Sequence, residues 1–317
     1  MEETPKKKLP KGAKIAIIVT GSVVGALALT WAGANILKYP IYADYWSRQH
    51  DLYEIPGLNE GKVPQGCAYD KQKKVVYTTS YSSDGSYVYV VSDNGSIAHP
   101  LKSKGEIYTG HAGGISTSGS YAFIANDDRI YTIKTADLND AELQYIDIGE
   151  GIKVNNQASF TFADENYLWV GEFNNDNQYV TEHPVGNNKA IITKYNLSDF
   201  YPGSAGACPV EIISIPNEVQ GCAFFDNTMV LSTSWALNSS KFLVYNTHDF
   251  DDSFSKIDGL NVKVPSKDPK VIKAPMMMED LDVYDDGTII TLTESACNKY
   301  ILGKFLFYTK IVTVKIK

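Results

Sequence analysis

Residues 65–81 read Q-G-C-A-Y-D-K-Q-K-K-V-V-Y-T-T-S-Y, and residues 220–235 read Q-G-C-A-F-F-D-N-T-M-V-L-S-T-S-W. Both stretches encode a strand, a polar turn and a second strand. Weaker copies of this pattern begin at His111, Gln157 and Glu279, so that one copy follows another after roughly 45 to 65 residues. One such unit cannot bury both of its faces and must stack on its neighbours. The repeat therefore predicts a radial all-β array.

The repeats extend from about residue 51 to residue 317, which favours one closed array over two separate domains. Tyrosine is abundant, with 21 residues, and the valine, isoleucine, threonine and phenylalanine around it prefer a pleated, half-buried surface. We therefore predict an all-β, five-bladed β-propeller, with six blades as the alternative.

The fifth unit contains only three predicted strands, at Asp280–Tyr284, Thr288–Thr293 and Ile311–Ile316. A candidate for the fourth stands before the first unit, where Leu52–Pro56 is followed by Asn-Glu and then by Gln-Gly. The same order occurs at Glu211–Pro216, at the end of the third unit. We predict that Leu52–Pro56 docks on the last blade and closes the ring, because closure leaves no unpaired strand edge between the first and last blades.

The second unit is completed by a predicted fourth strand at Leu143–Ile148. Two insertions lie outside the simple repeat. The insertions Asn174–Asn188 and Thr247–Pro269 are longer than most connections in a compact domain, and such loops tend to be functional lids or mobile segments.

The N-terminal part of the chain has a different character. Residues 15–37 form a run of 23 residues without a charge, which as a helix spans about 35 Å and crosses a bilayer. Five lysines precede the run, so the short N-terminus is expected in the cytoplasm and the repeats on the far side of the membrane. The predicted division is a cytoplasmic basic tail at 1–14, a signal anchor at 15–37, a linker at 38–50 and the propeller at 51–317. A cleaved signal peptide is the alternative, because Ala32-Gly33-Ala34 resembles a cleavage site, but the apolar run is longer than usual for one.

The charge of the propeller limits its partners. Residues 1–14 carry five lysines and two glutamates, and subtracting their +3 from the chain's −8 leaves −11 for the remainder. This charge repels nucleic acid and anionic membrane surfaces. The expected partners are therefore the membrane, through one N-terminal helix, and a ligand or protein of the cell envelope, with no nucleic acid.

The four cysteines form no C-x-x-C pair, which argues against a zinc ribbon or a thioredoxin-type site. Cys67 and Cys222 occupy equivalent positions in two units and are predicted to be buried packing residues. Cys208 and Cys297 lie in turn-like segments, where a disulfide in an oxidising compartment is an open alternative.

Polar and aromatic side chains at one end of the first and second strands of each unit form the candidate ligand site. In a propeller the first strands line the central channel, so these residues are expected to converge at its mouth. The candidates are Gln65, Tyr81, His111, Asn126, Gln157, Glu172, Gln220, Trp235, Glu279 and Glu294. Polar residues at strand starts also hydrogen-bond to the neighbouring blade, which is the competing interpretation of the glutamines.

The acids among these candidates allow two kinds of chemistry. Glu279 and Glu294, with His111, can provide a general acid and a general base if their pKa values are separated. Glu172, Glu279 and Glu294 are equally suited to an oxygen-liganded divalent cation such as calcium, although the sequence itself names no cofactor.

Several motifs resemble those of a known group of secreted or membrane-anchored bacterial propellers. The segments are P-Q-G-C-A-Y-D at 64–70, H-A-G-G-I-S at 111–116, M-M-M-E-D-L-D-V at 276–283 and T-E-S-A-C-N-K-Y at 293–300. The group has no agreed activity, so the resemblance implies only the fold and an extracytoplasmic location. Cys67, Ala112, Asp280 and Cys297 depart from its more usual residues. A more distant resemblance is to the plant-type glutamine cyclotransferases, also five-bladed, but their characteristic segments are not found.

These features predict a single-pass, membrane-anchored extracytoplasmic propeller that binds a small molecule, glycan or peptide at the mouth of the central channel. The alternative is a hydrolase or lyase that uses Glu279 and Glu294 with His111. The sequence leaves open whether the protein is an enzyme.

Overall fold

A computed structural model describes residues 10–306 and 308–317, without the side chains of residues 11–18, 301 and 305. The chain begins with helix α1 (Lys11–Ile41), followed by helix α2 (Ala43–Arg48) and strand β1 (Gln49–Glu54). Within α1, Val19–Ile41 is long and apolar enough to cross a membrane, and its apolar stretch is not buried inside the described chain. The sequence predicted this helix, although the observed one continues past residue 37.

Five mainly antiparallel sheets follow, and they form the predicted five blades. Blade 1 consists of β2 (Val63–Asp70), β3 (Val75–Ser82), β4 (Gly85–Ser92) and β5 (Gly95–Ser103), with the short β6 (Glu106–Ile107) beside β5. Blade 2 begins with β7 (Gly114–Ser118), β8 (Tyr121–Asn126) and β9 (Arg129–Lys134). The chain then forms helix α3 (Thr135–Leu138), β10 (Ile146–Asp147) and β11 (Ile152–Lys153), of which β11 completes blade 2.

The remaining blades have the same order of strands from the centre outward. Blade 3 consists of β12 (Phe160–Ala163), β13 (Tyr167–Gly171), β14 (Ala190–Asn196) and β15 (Pro209–Ile215). Blade 4 begins with β16 (Val219–Phe225), β17 (Thr228–Thr233) and β18 (Ser240–Asn246). The hairpin β19 (Phe250–Ile257) and β20 (Leu260–Pro265) comes before its last strand, β21 (Lys270–Ala274). Blade 5 contains β22 (Met278–Asp285), β23 (Thr288–Thr293) and β24 (Lys310–Lys315). Short 3-10 helices occupy Leu58–Glu60, Leu197–Phe200, Thr247–Asp249 and Ile301–Leu306.

The ring is closed by the N-terminal strand, as the sequence predicts. Strand β1 pairs antiparallel with β24, from Gln49 opposite Val314 to Glu54 opposite Lys310, and becomes the outermost strand of blade 5. The closing strand begins at Gln49, three residues before the predicted segment Leu52–Pro56. Residues 38–50, treated as a linker in the sequence analysis, therefore include the end of α1, all of α2 and the first residues of β1.

The prediction that Leu143–Ile148 is the fourth strand of blade 2 is wrong. Ile146–Asp147 pairs in parallel with β5 of blade 1, and Ile152–Lys153 pairs with β9 in its place. Ile146 and Ile148 are buried in a core shared with residues of blades 1 and 2. The alternation of apolar and polar residues along a strand identifies which side chains are buried, but it does not identify the neighbouring strand with which it pairs.

The insertion Thr247–Pro269 is a folded hairpin. Strand β20 pairs in parallel with β15, so the hairpin extends the outer edge of blade 3 even though it interrupts the sequence of blade 4. The insertion Asn174–Asn188 contains an isolated bridge between Val185 and Asn188 but no strand.

Glycines allow the innermost strands of neighbouring blades to approach closely. A Cβ atom added to Gly114 would lie 2.6 Å from Cα of Phe160 in blade 3, and one added to Gly221 would lie 2.7 Å from Cα of Asp280 in blade 5. Gly66 has the same role between blades 1 and 2, where an added Cβ would lie 2.6 Å from the amide nitrogen of Ile115. The repeated Q-G-C-A motif is therefore explained in part by the packing of the ring.

All four cysteines are free. Cys67 and Cys222 are buried, as predicted, and so is Cys297, whereas Cys208 is exposed. The open alternative of a disulfide between Cys208 and Cys297 does not occur in this structure.

Candidate functional site

Five of the ten predicted site residues come together where the innermost strands of blades 5 and 1 begin. Gln65 lies near the start of β2 and Glu279 near the start of β22, while Tyr81 and Glu294 lie at the ends of the adjacent strands β3 and β23. His111 precedes β7. Lys299 and Tyr300 join them from the segment that follows β23. These seven residues, Gln65, Tyr81, His111, Glu279, Glu294, Lys299 and Tyr300, are called the carboxylate cluster below.

Direct contacts connect the members of the carboxylate cluster. The side-chain amide of Gln65 donates to Oε2 of Glu294 across 3.4 Å. The rings of Tyr81 and His111 are 4.3 Å apart between centroids, and the ammonium of Lys299 donates to the Tyr81 hydroxyl. Residues from blades 1 and 5 and from the start of blade 2 therefore lie close together in the carboxylate cluster.

The two glutamates of the cluster hold protons unusually strongly. Glu279 is 4% exposed, and burial raises its pKa well above the ordinary 4.5, with further increases from the negative charges of Glu294, Asp280 and Cys297. Burial also raises the pKa of Glu294 to about 8, although Lys299 and the Gln65 amide act in the opposite direction. At neutral pH the pair therefore carries at least one proton and can both donate and accept hydrogen bonds.

His111 and Tyr300 are uncharged at neutral pH. Burial lowers the pKa of His111 below its ordinary 6.5, and the positive charge of Lys299 lowers it further, so the imidazole is neutral. Burial and the charge of Glu294 raise the pKa of Tyr300 far above its usual value, so the phenol remains protonated. The cluster thus contains neutral hydrogen-bonding groups around a carboxyl pair.

Glu172 is predicted for the same site, but the structure places it in a separate group in blade 3. Its side chain is 1% exposed and accepts hydrogen bonds from the backbone N–H groups of Gln157 and Ile191. Nδ1 of His183 lies 2.9 Å from its Oε1 atom. This contact raises the pKa of the imidazole, although burial opposes the shift. His183 belongs to the insertion Asn174–Asn188, so the buried acid holds this loop on the blade.

The remaining predicted residues have contacts of their own within the described chain. Asn126 is buried, accepts from the amide of Ala112 at 3.2 Å and donates to Asp127, so it supports the loop that carries His111. Trp235 packs near Phe173, with 5.8 Å between ring centroids. Gln157 is exposed, and the Gln220 side chain lies 3.5 Å from the carbonyl oxygen of Ser234.

Sequence reasoning missed the most deeply buried acid, Asp280. Its Oδ2 atom accepts from the amides of Cys67 in blade 1 and Ile115 in blade 2, at 3.3 and 3.1 Å. Its Oδ1 atom is buried without a hydrogen-bond partner in the described structure. Burial raises its pKa well above the ordinary 3.8. One signal was present, because E-D-L-D at 279–282 aligns with Q-G-C-A and puts Asp280 where three of the other four units have an interblade glycine, Gly66, Gly114 and Gly221.

The three acids predicted as metal ligands do not form one metal site. Within the described ranges, no three His, Cys, Asp or Glu side chains are arranged to hold a metal ion together. Of the three candidates, Glu279 and Glu294 lie in the carboxylate cluster and Glu172 lies apart with His183.

Two open cavities lie away from the carboxylate cluster. One, of about 650 Å³, is lined by residues of β9, α3 and the segment leading to β10, among them Lys134, Leu143 and Tyr145. The other, of about 600 Å³, lies beside Asp226, Tyr245 and Lys317. Neither includes a residue of the carboxylate cluster.

Comparisons with known proteins add no family assignment. No protein-family model matches the chain, and no curated protein sequence matches it. The resemblances to the bacterial propeller group and, more distantly, to the glutamine cyclotransferases therefore remain predictions from the sequence.

Solved structures with a related arrangement are distant. A putative oxidoreductase (glucose dehydrogenase) from Thermus thermophilus is 10% identical, with a TM-score of 0.46, and the match covers 84% of this chain and 99% of that one. A PQQ-bound aldose sugar dehydrogenase from Streptomyces coelicolor is 12% identical, with a TM-score of 0.47. The match covers 85% of this chain and 98% of that one. A gluconolactonase from Xanthomonas campestris is 11% identical, with a TM-score of 0.36. The match covers 88% of this chain and 92% of that one. Likeness at this level carries no argument about activity.

Proposed function

We propose that the protein is a membrane-anchored, extracytoplasmic propeller that binds a small molecule, glycan or peptide at the mouth of its central channel. The carboxylate cluster is the binding site in this proposal. The observation that carries it is the convergence of a proton-holding carboxyl pair with a neutral imidazole, an amide and two phenols from three parts of the ring. Convergent polar and aromatic groups of this kind are typical of ligand-binding sites in proteins.

The electrostatics favour binding over hydrolysis. Acid and base catalysis by two carboxyl groups requires one high pKa and one low pKa. Here burial raises the pKa values of both Glu279 and Glu294, and no low-pKa partner stands beside them in the described structure. A hydrolase or lyase remains the second candidate because His111 is neutral and can accept a proton.

The proposed location is supported by α1. Val19–Ile41 is 23 residues long, and its apolar stretch is not buried inside the described chain, as expected of a membrane span. The lysines that precede it in the sequence favour a cytoplasmic N-terminus, which puts the propeller on the other side.

The test is a thermal-shift panel of sugars, peptides and small polar molecules on the full-length chain in detergent micelles. A ligand that binds only the folded state raises the melting temperature. We expect a ligand that stabilises the parent protein and the variant Glu165→Gln, which changes an exposed acid in a turn of blade 3, but not the variant Glu294→Gln. A ligand that stabilises all three proteins equally would place the binding site elsewhere.

A further inference from the structure

Lys299 has an unusual position for an exposed lysine. Its ammonium donates to the hydroxyl of Tyr81 and lies 4.8 Å from the centroid of the Tyr81 ring. It also lies 5.2 Å from the centroid of the Tyr300 ring. Aromatic faces attract cations at such distances. The carboxylate cluster thus contains a place for an ammonium group, and a side chain of the protein occupies it.

This internal ammonium does not neutralise the carboxyl pair. Its charge acts on Glu294, but within the described chain Lys299 forms no ion pair with any carboxylate. Glu279 is buried beside Glu294 and Asp280, and because no cation of the described chain pairs with it, the carboxyl pair holds a proton at neutral pH. A charge in such a place is costly unless it is paired. An ammonium that is free to move closer than the tethered lysine can pair with a carboxylate of the cluster, which then releases its proton to solvent.

The lysine itself is held weakly. Lys299 is exposed, and a long, rotamer-rich side chain loses entropy when it is fixed in one geometry. Its single described hydrogen bond is to a tyrosine that is also partly exposed. A competing cation therefore displaces it at a small cost.

We propose that the carboxylate cluster binds a primary ammonium group, and that the Lys299 ammonium occupies this position until the ligand displaces it. This inference rests on the ligand-binding function proposed above and names the ligand's chemical class. The ammonium belongs either to a small free amine or to a lysine side chain of a peptide. In both cases the ligand contacts the faces of Tyr81 and Tyr300 and pairs with the carboxyl groups of Glu294 and Glu279.

The experiment measures binding of matched probes by calorimetry at pH 7, on the full-length chain in detergent micelles. The probes are n-butylammonium, acetyl-lysine amide and, as the neutral isostere, 1-butanol. The variant Lys299→Met removes the internal ammonium but keeps an apolar stem. The control is Lys304→Met, because Lys304 belongs to the same segment but bonds to Asn298 and not to the cluster.

We expect Lys299→Met to bind at least one of the two ammonium probes about tenfold more tightly than the parent protein does, because one cation–π competitor has been removed. Lys304→Met should bind them as the parent does, and 1-butanol should bind to none of the proteins. Tighter binding of acetyl-lysine amide than of n-butylammonium would assign the ligand to a peptide lysine, and the reverse order to a small amine. The double variant Glu294→Gln with Lys299→Met should lose the gain, since one half of the carboxyl pair is then gone.

Three outcomes would overturn the proposal: no gain in Lys299→Met, an equal gain in Lys304→Met, or equal binding of 1-butanol. If a neutral ligand from the thermal-shift panel depends on Glu294 while both ammonium probes fail, the binding function stands and the ammonium inference is wrong. If no ligand of either kind depends on Glu294, both are wrong.

Discussion

Glu294 makes the stability of the folded chain depend on pH. Its pKa is raised from 4.5 to about 8 in the fold. Between these values the folded chain holds a proton that the unfolded chain has released, so the free energy of unfolding decreases as the pH rises. The contribution is fully present below pH 4.5 and is lost as the pH rises through about 8.

Substitution of Glu294 by Gln should therefore flatten this pH dependence. We expect the difference between the free energies of unfolding at low and at mildly alkaline pH to be smaller in Glu294→Gln than in the parent protein, measured by urea denaturation. Part of the decline should persist, because burial also raises the pKa of Asp282, from 3.8 to about 7. An unchanged difference would mean that Glu294 titrates normally in the folded state.

Asp280 should be replaceable by Asn but not by Ala. Asp280→Ala leaves the amides of Cys67 and Ile115 without their acceptor, and each unsatisfied buried group costs roughly 1–3 kcal/mol. Asp280→Asn keeps an acceptor oxygen and removes an acid that is hard to ionise in this position. Chemical denaturation at neutral pH should show Asn close to the parent protein and Ala clearly less stable. Equal losses in both variants would contradict this role of the Oδ2 atom.

His183 should hold the insertion Asn174–Asn188 in place. Its pKa is raised by the contact with Glu172, so the contact stabilises the fold fully below the ordinary 6.5 and the gain is lost as the pH rises through the higher folded value. His183→Ala leaves the buried carboxylate without this partner and should speed proteolytic cleavage within the insertion at pH 6. His248→Ala, at an exposed histidine in another insertion, is the matched control and should be cleaved like the parent. Equal cleavage of all three proteins would exclude a holding role.

The sequence predicts the candidate site at this scale only in part. Gln65, Tyr81, His111, Glu279 and Glu294 can be found by alignment, because equivalent positions of a repeat lie at the same end of the ring. Glu172 occupies an equivalent position too, but His183, which draws it into another group, comes from an insertion outside the repeat. Asp280 was overlooked because its hydrogen-bond partners are backbone amides, which the sequence does not reveal, although its place opposite the interblade glycines was visible in the alignment.

The sequence predicts the individual strands of the propeller better than it predicts which strands pair with each other. The five innermost strands and the closing strand β1 follow from alternation and from the repeated motif. The partner of β10 does not, since Ile146 and Ile148 are buried whichever sheet they join. The hairpin β19–β20 illustrates the same point, because it interrupts one blade in sequence and extends another in space.

The closing strand should matter far more than an outer strand of equal length. Deletion of residues 51–59 removes most of β1 and exposes the unpaired backbone groups of β24, so we expect a large fall in melting temperature or failure to fold. Deletion of residues 250–258 is equally long and removes β19, which pairs only with β20 at the outer edge of blade 3. Its melting temperature should fall much less. A 51–59 deletion that melts like the parent would refute closure by β1.

The whole molecule combines an apolar helix with a ring that begins immediately after it. Trp46 in α2 donates to the carbonyl oxygen of Lys38 at 2.9 Å, and its ring lies 5.7 Å from that of Tyr308. Tyr45 is fully buried and lies near Phe242 of blade 4. The residues after position 37 therefore belong to the folded propeller.

A variant without residues 1–37 should leave the membrane and keep the fold. We expect the full-length chain to sediment with membranes and to resist extraction by high salt, because the apolar span and not surface charge holds it there. The shortened variant should be soluble and should melt at a temperature close to that of the full-length chain. If the variant still sediments with membranes, another part of the protein binds them.

The pairing of β1 with β24 also has a consequence for the order of synthesis. The first strand of the propeller leaves the ribosome before any other, but its partner is made only after the intervening 255 residues, from residue 55 to residue 309. Blades 1 to 4 can form in turn during this interval, whereas blade 5 has to wait. Until then β1 is an unpaired strand in the crowded surroundings of a growing chain, where another copy of β24 can pair with it. Slow translation should therefore favour exchange of the closing strand between neighbouring chains over closure within one.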